Sequence, residues 1–313
     1  MITAVSLFSG IGGIDLAFMQ AGIDVIWANE ADKFACTTYR NNFTNKLIEA
    51  DIRTVNAEDI PKADVLFGGF PCQSFSVMGY RRGFKDPRGN LFFEVVRIAE
   101  AIKPKVILLE NVKNLIYHDG GRTFITIHNT LAELGYFIKY EVQNARTHGN
   151  IPQERSRTFI AAFSDQDMMN KFEFPEEIPL TVNPNDIIDR SVRHNDIYYY
   201  TDKSKYYRLL NERITDKSGI YRIDDSGVAT RKYAISPTLK ANMGTYHDRV
   251  PIIRDDFGVR KLTPYECLAF QGFPQDFVFK GIPLEAAYKQ CGNTVCVPVV
   301  RRIAENIYKV FKE

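Results

Sequence analysis

Short apolar runs, each closed by a glycine, a proline or an acid, recur through the first half of the chain. Ala4-Val5-Ser6-Leu7-Phe8, Val25-Ile26-Trp27-Ala28, Asp64-Val65-Leu66-Phe67, Val106-Ile107-Leu108-Leu109 and Phe159-Ile160-Ala161-Ala162-Phe163 have the length of buried strands. Most are near-continuous rather than alternating, which predicts strands covered on both faces, as in a parallel sheet. A helical pattern runs from Ile14 to Gln20 after the first run, and another short helix is expected over about Pro264 to Phe270. From Val297 to Phe311 the apolar positions Val299, Val300, Ile303, Ile307 and Val310 recur at helical spacing. That last helix is expected to pack back on the sheet and close the first domain.

The strand pattern breaks between Asp165 and Pro184, where Phe174-Pro175-Glu176-Glu177-Ile178-Pro179 and Asn183-Pro184 concentrate prolines and acids. The predicted architecture is therefore α/β, with a Rossmann-like, mostly parallel sheet over residues 1–165 and 285–313. A smaller domain is expected over 166–284. There is no internal repeat.

Two turns carry the candidate chemistry. Strand, Ser9-Gly10-Ile11-Gly12-Gly13, then helix is the opening of a nucleotide-type βαβ unit. Glycine lets the backbone turn tightly against a ligand, and a helix N-terminus favours an anionic group such as a carboxylate. The spacing is neither G-x-G-x-x-G nor a Walker loop, which points to a smaller nucleoside ligand. Glu30 ends the next apolar run, where a carboxylate can take ribose hydroxyls. The second turn is Gly68-Gly69-Phe70-Pro71-Cys72-Gln73-Ser74-Phe75-Ser76. Pro71 stiffens it and biases Phe70 toward extended backbone. A thiol held there, at a strand's end, suits a nucleophile.

Two further segments extend the set. Glu110 and Asn111 follow the run 106–109, at the end of a buried strand. Gln153-Glu154-Arg155-Ser156-Arg157 alternates residue by residue, so period two predicts Gln153, Arg155 and Arg157 on one face of a strand. Two guanidiniums there can meet a base oxygen, a phosphate or an acid.

Together these segments resemble the DNA (cytosine-5)-methyltransferase family, of the bacterial restriction–modification type. Six stretches match its motifs in order: Phe8 to Gly13, Gly68 to Ser76, Glu110-Asn111-Val112, Gln153-x-Arg155-x-Arg157, Arg260 to Glu266 with Gln271-Gly272-Phe273-Pro274, and Gln290 to Val295. Only about residues 165–258 fall outside them. The resemblance implies transfer of a methyl group from S-adenosyl-L-methionine to C5 of cytosine, leaving S-adenosyl-L-homocysteine. It implies Cys72 as the nucleophile at C6, Glu110 at N3 and Arg157 at O2, with Asn111 and Arg155 supporting them. The cofactor set it implies is Phe8, Gly10, Gly12, Gly13, Glu30, Asp51, Ile52, Pro71, Asn293 and Thr294. Many members carry a tryptophan after the ribose acid; here Ala31 follows Glu30, and the chain's single tryptophan, Trp27, lies three residues earlier.

A base inside a duplex cannot present C6 to a thiol, so the resemblance implies a flipped nucleotide. Residues 77–90 form a long Gly-rich stretch with four basic residues against one acid, expected to act as a lid. Gln73, Ser76, Met78, Arg81, Arg82 and Arg88 are its candidate DNA contacts, with Met78 filling the gap left by the flipped base. From Arg190 to Asp256 there are thirteen Lys/Arg against nine Asp/Glu, so this stretch carries +4 of a net +2 and the remainder carries −2. In the family this is the target-recognition region. Thr238, Leu239, Lys240 and Arg249 are the candidate contacts there, reading guanine or gripping phosphate.

Composition narrows the class without naming it. At 313 residues and 45% hydrophobic, the chain suits one large domain and a smaller one. No apolar run is long enough to span a bilayer and no leader pattern opens the chain, so a cytoplasmic protein with no membrane contact is expected. Five scattered cysteines without a C-x-x-C pair argue against disulfides and against a metal site. The expected partners are double-stranded DNA and a cognate restriction endonuclease acting on the same site, the protein itself being a monomer. The alternatives are the same chemistry on tRNA, and a catalytically dead binding module.

Overall fold

The computed structural model describes residues 1–70, 91–223, 230–245 and 249–312. Two compact units are present. The first comprises Met1–Asn144, Ser156–Glu176 and Val299–Glu313; the second comprises Ala145–Arg155 and Glu177–Pro298. These bounds differ from the expected domains. Residues 145–155 and 285–298 go with the second unit, and 166–176 with the first.

The first unit is built on a seven-stranded sheet. Its strands are β1 (Thr3–Leu7), β2 (Asp24–Glu30), β3 (Lys46–Glu49), β4 (Val65–Gly69), β5 (Val106–Val112), β6 (Phe137–Asn144) and β7 (Ser156–Phe163). They lie in the order β3-β2-β1-β4-β5-β7-β6. The first five pair parallel, and β7 runs antiparallel to both β5 and β6. The sheet is thus mostly parallel, as expected. All of β1 but its first residue, and the first four residues of β4 and β5, are buried, which explains their unbroken apolar character.

The strand order reverses between β1 and β4. In open α/β sheets such a reversal leaves a crevice beyond the carboxyl ends of the strands. Here β1 and β4 approach closely: a Cβ at Gly68 would lie 2.7 Å from the Leu7 carbonyl oxygen, so only glycine fits. One core cluster includes Leu7, Trp27, Leu66, Phe70, Phe92, Leu109, Ile127 and Ile160. Trp27 belongs to that core and is 1% exposed.

The second unit carries a four-stranded antiparallel sheet of β8 (Ile220–Ile223), β9 (Thr230–Tyr233), β10 (Ile252–Arg254) and β11 (Val259–Lys261), in the order β11-β10-β8-β9. Leu210, Ile214, Tyr221, Ile223, Ile252 and Val259 form its apolar core. Beside it the fully buried Arg260 is held by acids on two sides. Its Nε lies 2.7 Å from Asp255, and its two terminal nitrogens lie 2.8 Å from the two oxygens of Glu266. Glu266 also completes the capping box with Thr263 that starts the helix Pro264–Ala269.

Among the described residues no helix is long and apolar enough to cross a membrane. Among them, too, no cluster of His, Cys, Asp or Glu has the makings of a metal site. Among the described residues, Cys36, Cys267, Cys291 and Cys296 are buried and none is in a disulfide.

Candidate active site

The Gly-rich turn follows β1 directly. Phe8 adopts a left-handed backbone (φ 54°), which ends the strand at Leu7, one residue short of the expected end. Gly10 and Gly12 are also left-handed, at φ 57° and 83°. A Cβ on Gly12 would strike the Phe43 ring at 2.4 Å, whereas one on Gly10 would meet nothing within 4 Å. Gly12 is therefore required by packing, while Gly10 faces open space. Gly13 begins the helix Gly13–Gln20.

Glu30 ties this turn to the end of β2. Its Oε2 accepts from the Gly10 amide at 2.8 Å, and its Oε1 accepts from the amides of Ala31 (2.9 Å) and Asp32 (2.8 Å). The Ser9 amide donates to the Asn29 carbonyl at 2.9 Å. Asn29 is itself held by the carbonyls of Ile48 and Ala50, so the ends of β2 and β3 stay in register. Asp51 caps the short turn Ile52–Thr54 and pairs with Arg53, whose proximity holds the Asp51 carboxyl below its usual range. Ile52 is buried.

At the carboxyl ends of β4 and β5 a second group converges. Gly69 pairs with Glu110 in parallel register. On the far side of β5, Glu110 faces Phe159 and Val112 faces Arg157. Arg157 thus lies diagonally from Glu110, within reach of a long side chain. Its Nε sits 2.9 Å from Glu110 Oε1, and its Nη1 donates to the Ser156 carbonyl. The other Glu110 oxygen would be 3.0 Å from a Cβ at Gly69, so a glycine there gives the carboxylate room. Buried Asn111 donates from Nδ2 to the Phe70 carbonyl at 2.8 Å, and its Oδ1 accepts from Val112 N. It thereby holds the residue that precedes Pro71.

Two expectations are corrected. β7 begins at Ser156, so Gln153 and Arg155 precede the strand and do not share a face with Arg157. Arg155 belongs to the second unit and is 2% exposed. Its guanidinium donates to the carbonyls of Leu239, Gly292 and Thr294. It staples these backbone segments together, its donors being turned onto those carbonyls. Leu239 is also buried, at 1% exposure, with its amide on Gln153 Oε1 at 3.2 Å. Its side chain packs inside the unit.

Thr238 donates to the Glu154 carbonyl, Lys240 is exposed, and Arg249 is half-buried. In the second unit, Asn293 is exposed at the end of the helix Leu284–Asn293, and Thr294 caps it. Pro71, Cys72, Gln73, Ser76, Met78, Arg81, Arg82 and Arg88 lie outside the described residues.

Sequence reasoning passed over a buried cluster beneath the Gly-rich turn. Asp15, Ser6 and Tyr39 are each fully buried. Asp15 accepts from Ser6 Oγ at 3.0 Å and from Tyr39 OH at 2.7 Å. Burial pushes the Asp15 carboxyl up to about 6, and raises Tyr39 far above the ordinary phenol range. An acid in a helix's first turn ordinarily reads as a surface complement to the dipole, so nothing in the local pattern flagged it.

The model of the C-5 cytosine-specific DNA methylase family matches residues 2–309. The chain belongs to that family. It has the family's methyltransferase fold and is a DNA cytosine-5 methyltransferase. Among curated relatives, Type II methyltransferase M.Bsp6I of Bacillus sp. (strain RFL6) is 51% identical over 312 residues, covering 99% of each chain. Type II methyltransferase M.HhaI of Haemophilus parahaemolyticus is 37% identical over 314 residues, covering 97% of this chain and 93% of that one. The solved structure of S. pombe Dnmt2 methyltransferase covers 100% of both chains with a TM-score of 0.75 at 19% identity, a likeness of fold alone. The family's substrate is DNA, which leaves the tRNA alternative with less support.

Proposed function

We propose that this enzyme is the methyltransferase of a restriction–modification system. It methylates one cytosine within a short sequence of double-stranded DNA and so protects that sequence from a cognate endonuclease. Its relatives at 37–51% identity are Type II methyltransferases, which supports this reading. We further propose a cytoplasmic monomer, with target recognition carried by the second unit.

The observation that carries the chemical reading is the Glu110–Arg157 pair near the carboxyl end of β5, with Asn111 on the Phe70 carbonyl beside it. An acid and a planar cation so joined suit the N3 and O2 edge of a flipped cytosine. Cys72 follows Phe70 by two residues in the sequence. Its thiolate attacks C6, forming a carbon–sulfur bond and breaking the C5–C6 π bond, whose electron pair spreads over C5 and, through C4, N3. Glu110 offsets the developing charge at N3, and Arg157 that at O2. C5 would take a methyl group from a sulfonium donor, whose broken carbon–sulfur pair stays on its sulfur; loss of the C5 proton to a base then re-forms the C5–C6 double bond and expels the cysteine thiolate.

The cofactor of this reaction is proposed to be S-adenosyl-L-methionine, which supplies an electrophilic methyl on a sulfonium. The residues present fit it. Glu30 accepts three amide donors, and a carboxylate's remaining capacity suffices for a ribose hydroxyl. Gly10 opens on free space beside it. Trp27, held in the core, is not available to stack on adenine.

Bisulfite sequencing of plasmid DNA from cells expressing the chain, beside a Cys72→Ala control, tests the whole reading. Protected cytosines in one short repeated context, absent from the control, are expected. Unmodified DNA from well-folded protein would overturn it, and tRNA would be the next substrate assayed.

A further inference from the structure

Beneath the Gly-rich turn, a line of hydroxyls ends on one buried carboxylate. Ser6 Oγ has a single proton, and Asp15 Oδ2, 3.0 Å away, is an acceptor when ionised. With Asp15 ionised, Ser6 Oγ accepts in its 2.8 Å contact with Ser9 Oγ, whose proton also has the Asn29 carbonyl within reach at 3.2 Å. From the other side, Asn45 Nδ2 donates to Tyr39 OH, and Tyr39 OH donates to Asp15 Oδ1, both at 2.7 Å. Donors thus run inward from both ends and meet at Asp15.

Ser9 is the first residue of the turn. Its carbonyl accepts from the Gly12 amide at 2.8 Å, and its amide is fixed to Asn29. The next residue, Gly10, is the one held by Glu30. The turn is thereby braced by Glu30 on one side and by the Ser9–Ser6–Asp15 line from within the sheet. The arrangement is polar where apolar packing would be more stable, since both oxygens of a fully buried acid must be satisfied. A charge kept in such a place is a functional candidate.

We propose that Asp15 is a positioning residue for the cofactor, acting through Ser6 and Ser9 to set the Ser9–Gly12 turn. This rests on the reading of that turn as the S-adenosyl-L-methionine site. The line has a direction that depends on charge. A proton on Asp15 Oδ2 turns it into a donor toward Ser6, and Ser6 then donates to Ser9, so the Ser9 proton shifts to the Asn29 carbonyl, 3.2 Å away. The groups facing Asp15 are Ser6 on β1, Tyr39 on the helix Lys33–Asn42 and, by charge, Glu30 on β2. Of these only Glu30 carries a charge, and it resists ionisation of Asp15.

Calorimetric titration of the full chain with S-adenosyl-L-homocysteine tests the proposal without turnover. Asp15→Asn is expected to weaken binding about tenfold above about pH 7, as loss of a charged hydrogen-bond acceptor does, while the melting temperature holds or rises. A residue that served stability alone would lower the melting temperature instead. Ser9→Ala is expected to weaken binding about threefold, and the double variant no more than Asp15→Asn alone, because the two act along one line. Wild-type affinity in Asp15→Asn, or a double variant weakened by the product of the single effects, overturns the proposal. If Asp15→Asn does not fold, Ser6→Ala and Ser9→Ala decide the matter, and wild-type affinity in both overturns it. Wild-type protein that binds no S-adenosyl-L-homocysteine at all overturns the cofactor reading itself, and the proposal with it.

Discussion

Arg157 on β7 lies diagonally opposite Glu110 on the adjacent β5, with its Nε 2.9 Å from the carboxylate. Neither residue is near the other in sequence, and neither runs of apolar residues nor motif spacing sets their separation. The antiparallel register does, because it brings 157 opposite 112 and leaves the long side chain to reach two positions along the strand. Replacing Glu110 by Gln keeps the shape but removes the charge and the acid. We expect kcat to fall by about a hundred- to ten-thousandfold, the range for a lost acid–base group, with the melting temperature nearly unchanged. Steady-state methyl transfer beside a thermal melt checks this.

Glu30 satisfies three backbone amides at once, those of Gly10, Ala31 and Asp32. Glu30→Ala leaves all three without this acceptor and loosens the turn. The expected result is a KM for S-adenosyl-L-methionine raised about ten- to a hundredfold, as for a lost charge-assisted group, with kcat at saturation changed less. An unchanged KM would remove Glu30 from the cofactor site.

Gly12 combines a left-handed backbone with the Phe43 ring where a Cβ would go. Gly12→Ala pays both for the conformation and for the clash. Together these are expected to cost roughly 2–4 kcal/mol. Gly10→Ala has the strained backbone but no clash, so it should cost less. Urea denaturation of the two variants gives the comparison.

Arg260 is enclosed by Asp255 and Glu266 in the second unit. Arg260→Met leaves two buried carboxylates facing each other without their cation. The expected loss is about 3–5 kcal/mol, the usual cost of breaking a buried pair from one side. Chemical denaturation should detect it, and a loss under about 1 kcal/mol would contradict the burial of these charges.

Asp15 predicts a dependence of stability on pH. Its carboxyl is raised from 3.8 to about 6, with burial as the first cause, so the folded chain holds this proton more tightly than the unfolded one. The contribution to stability is fully present below about pH 4 and is lost as pH rises through about 6. A shift of about two units corresponds to roughly 3 kcal/mol. Measured against Asp15→Asn, which cannot titrate, the wild type should therefore lose stability by that order between about pH 4 and pH 7. A parallel pair of stability curves would show that Asp15 does not titrate in this window.

Much of the first unit was legible from the chain alone. β1, β2, β4, β5 and β7 are apolar runs because strands covered on both faces have no polar side to show. β6 was not anticipated. It is an edge strand, FIKYEVQN, with seven of its eight positions exposed or partly exposed and charges among them, so its apolar signal is diluted. The reading of 153–157 as one strand failed for a related reason. Alternation is a local pattern, and a local pattern does not reveal that Arg155 turns to carbonyls at 239, 292 and 294, more than eighty residues away.

The sequence by itself determined the family, the βαβ opening and the identity of the residues that gather at the strand ends. Those follow from motif order and from the period of apolar positions, which are properties of neighbours along the chain. Only the tertiary structure decided that Glu110 meets Arg157, that Arg155 and Leu239 are interior, and that Asp15 is a buried acid joined to the Gly-rich turn. These depend on which strands become adjacent and which faces are covered. Burial then sets whether the same side chain is a solvated charge or a group with an altered pKa and a fixed hydrogen-bond direction.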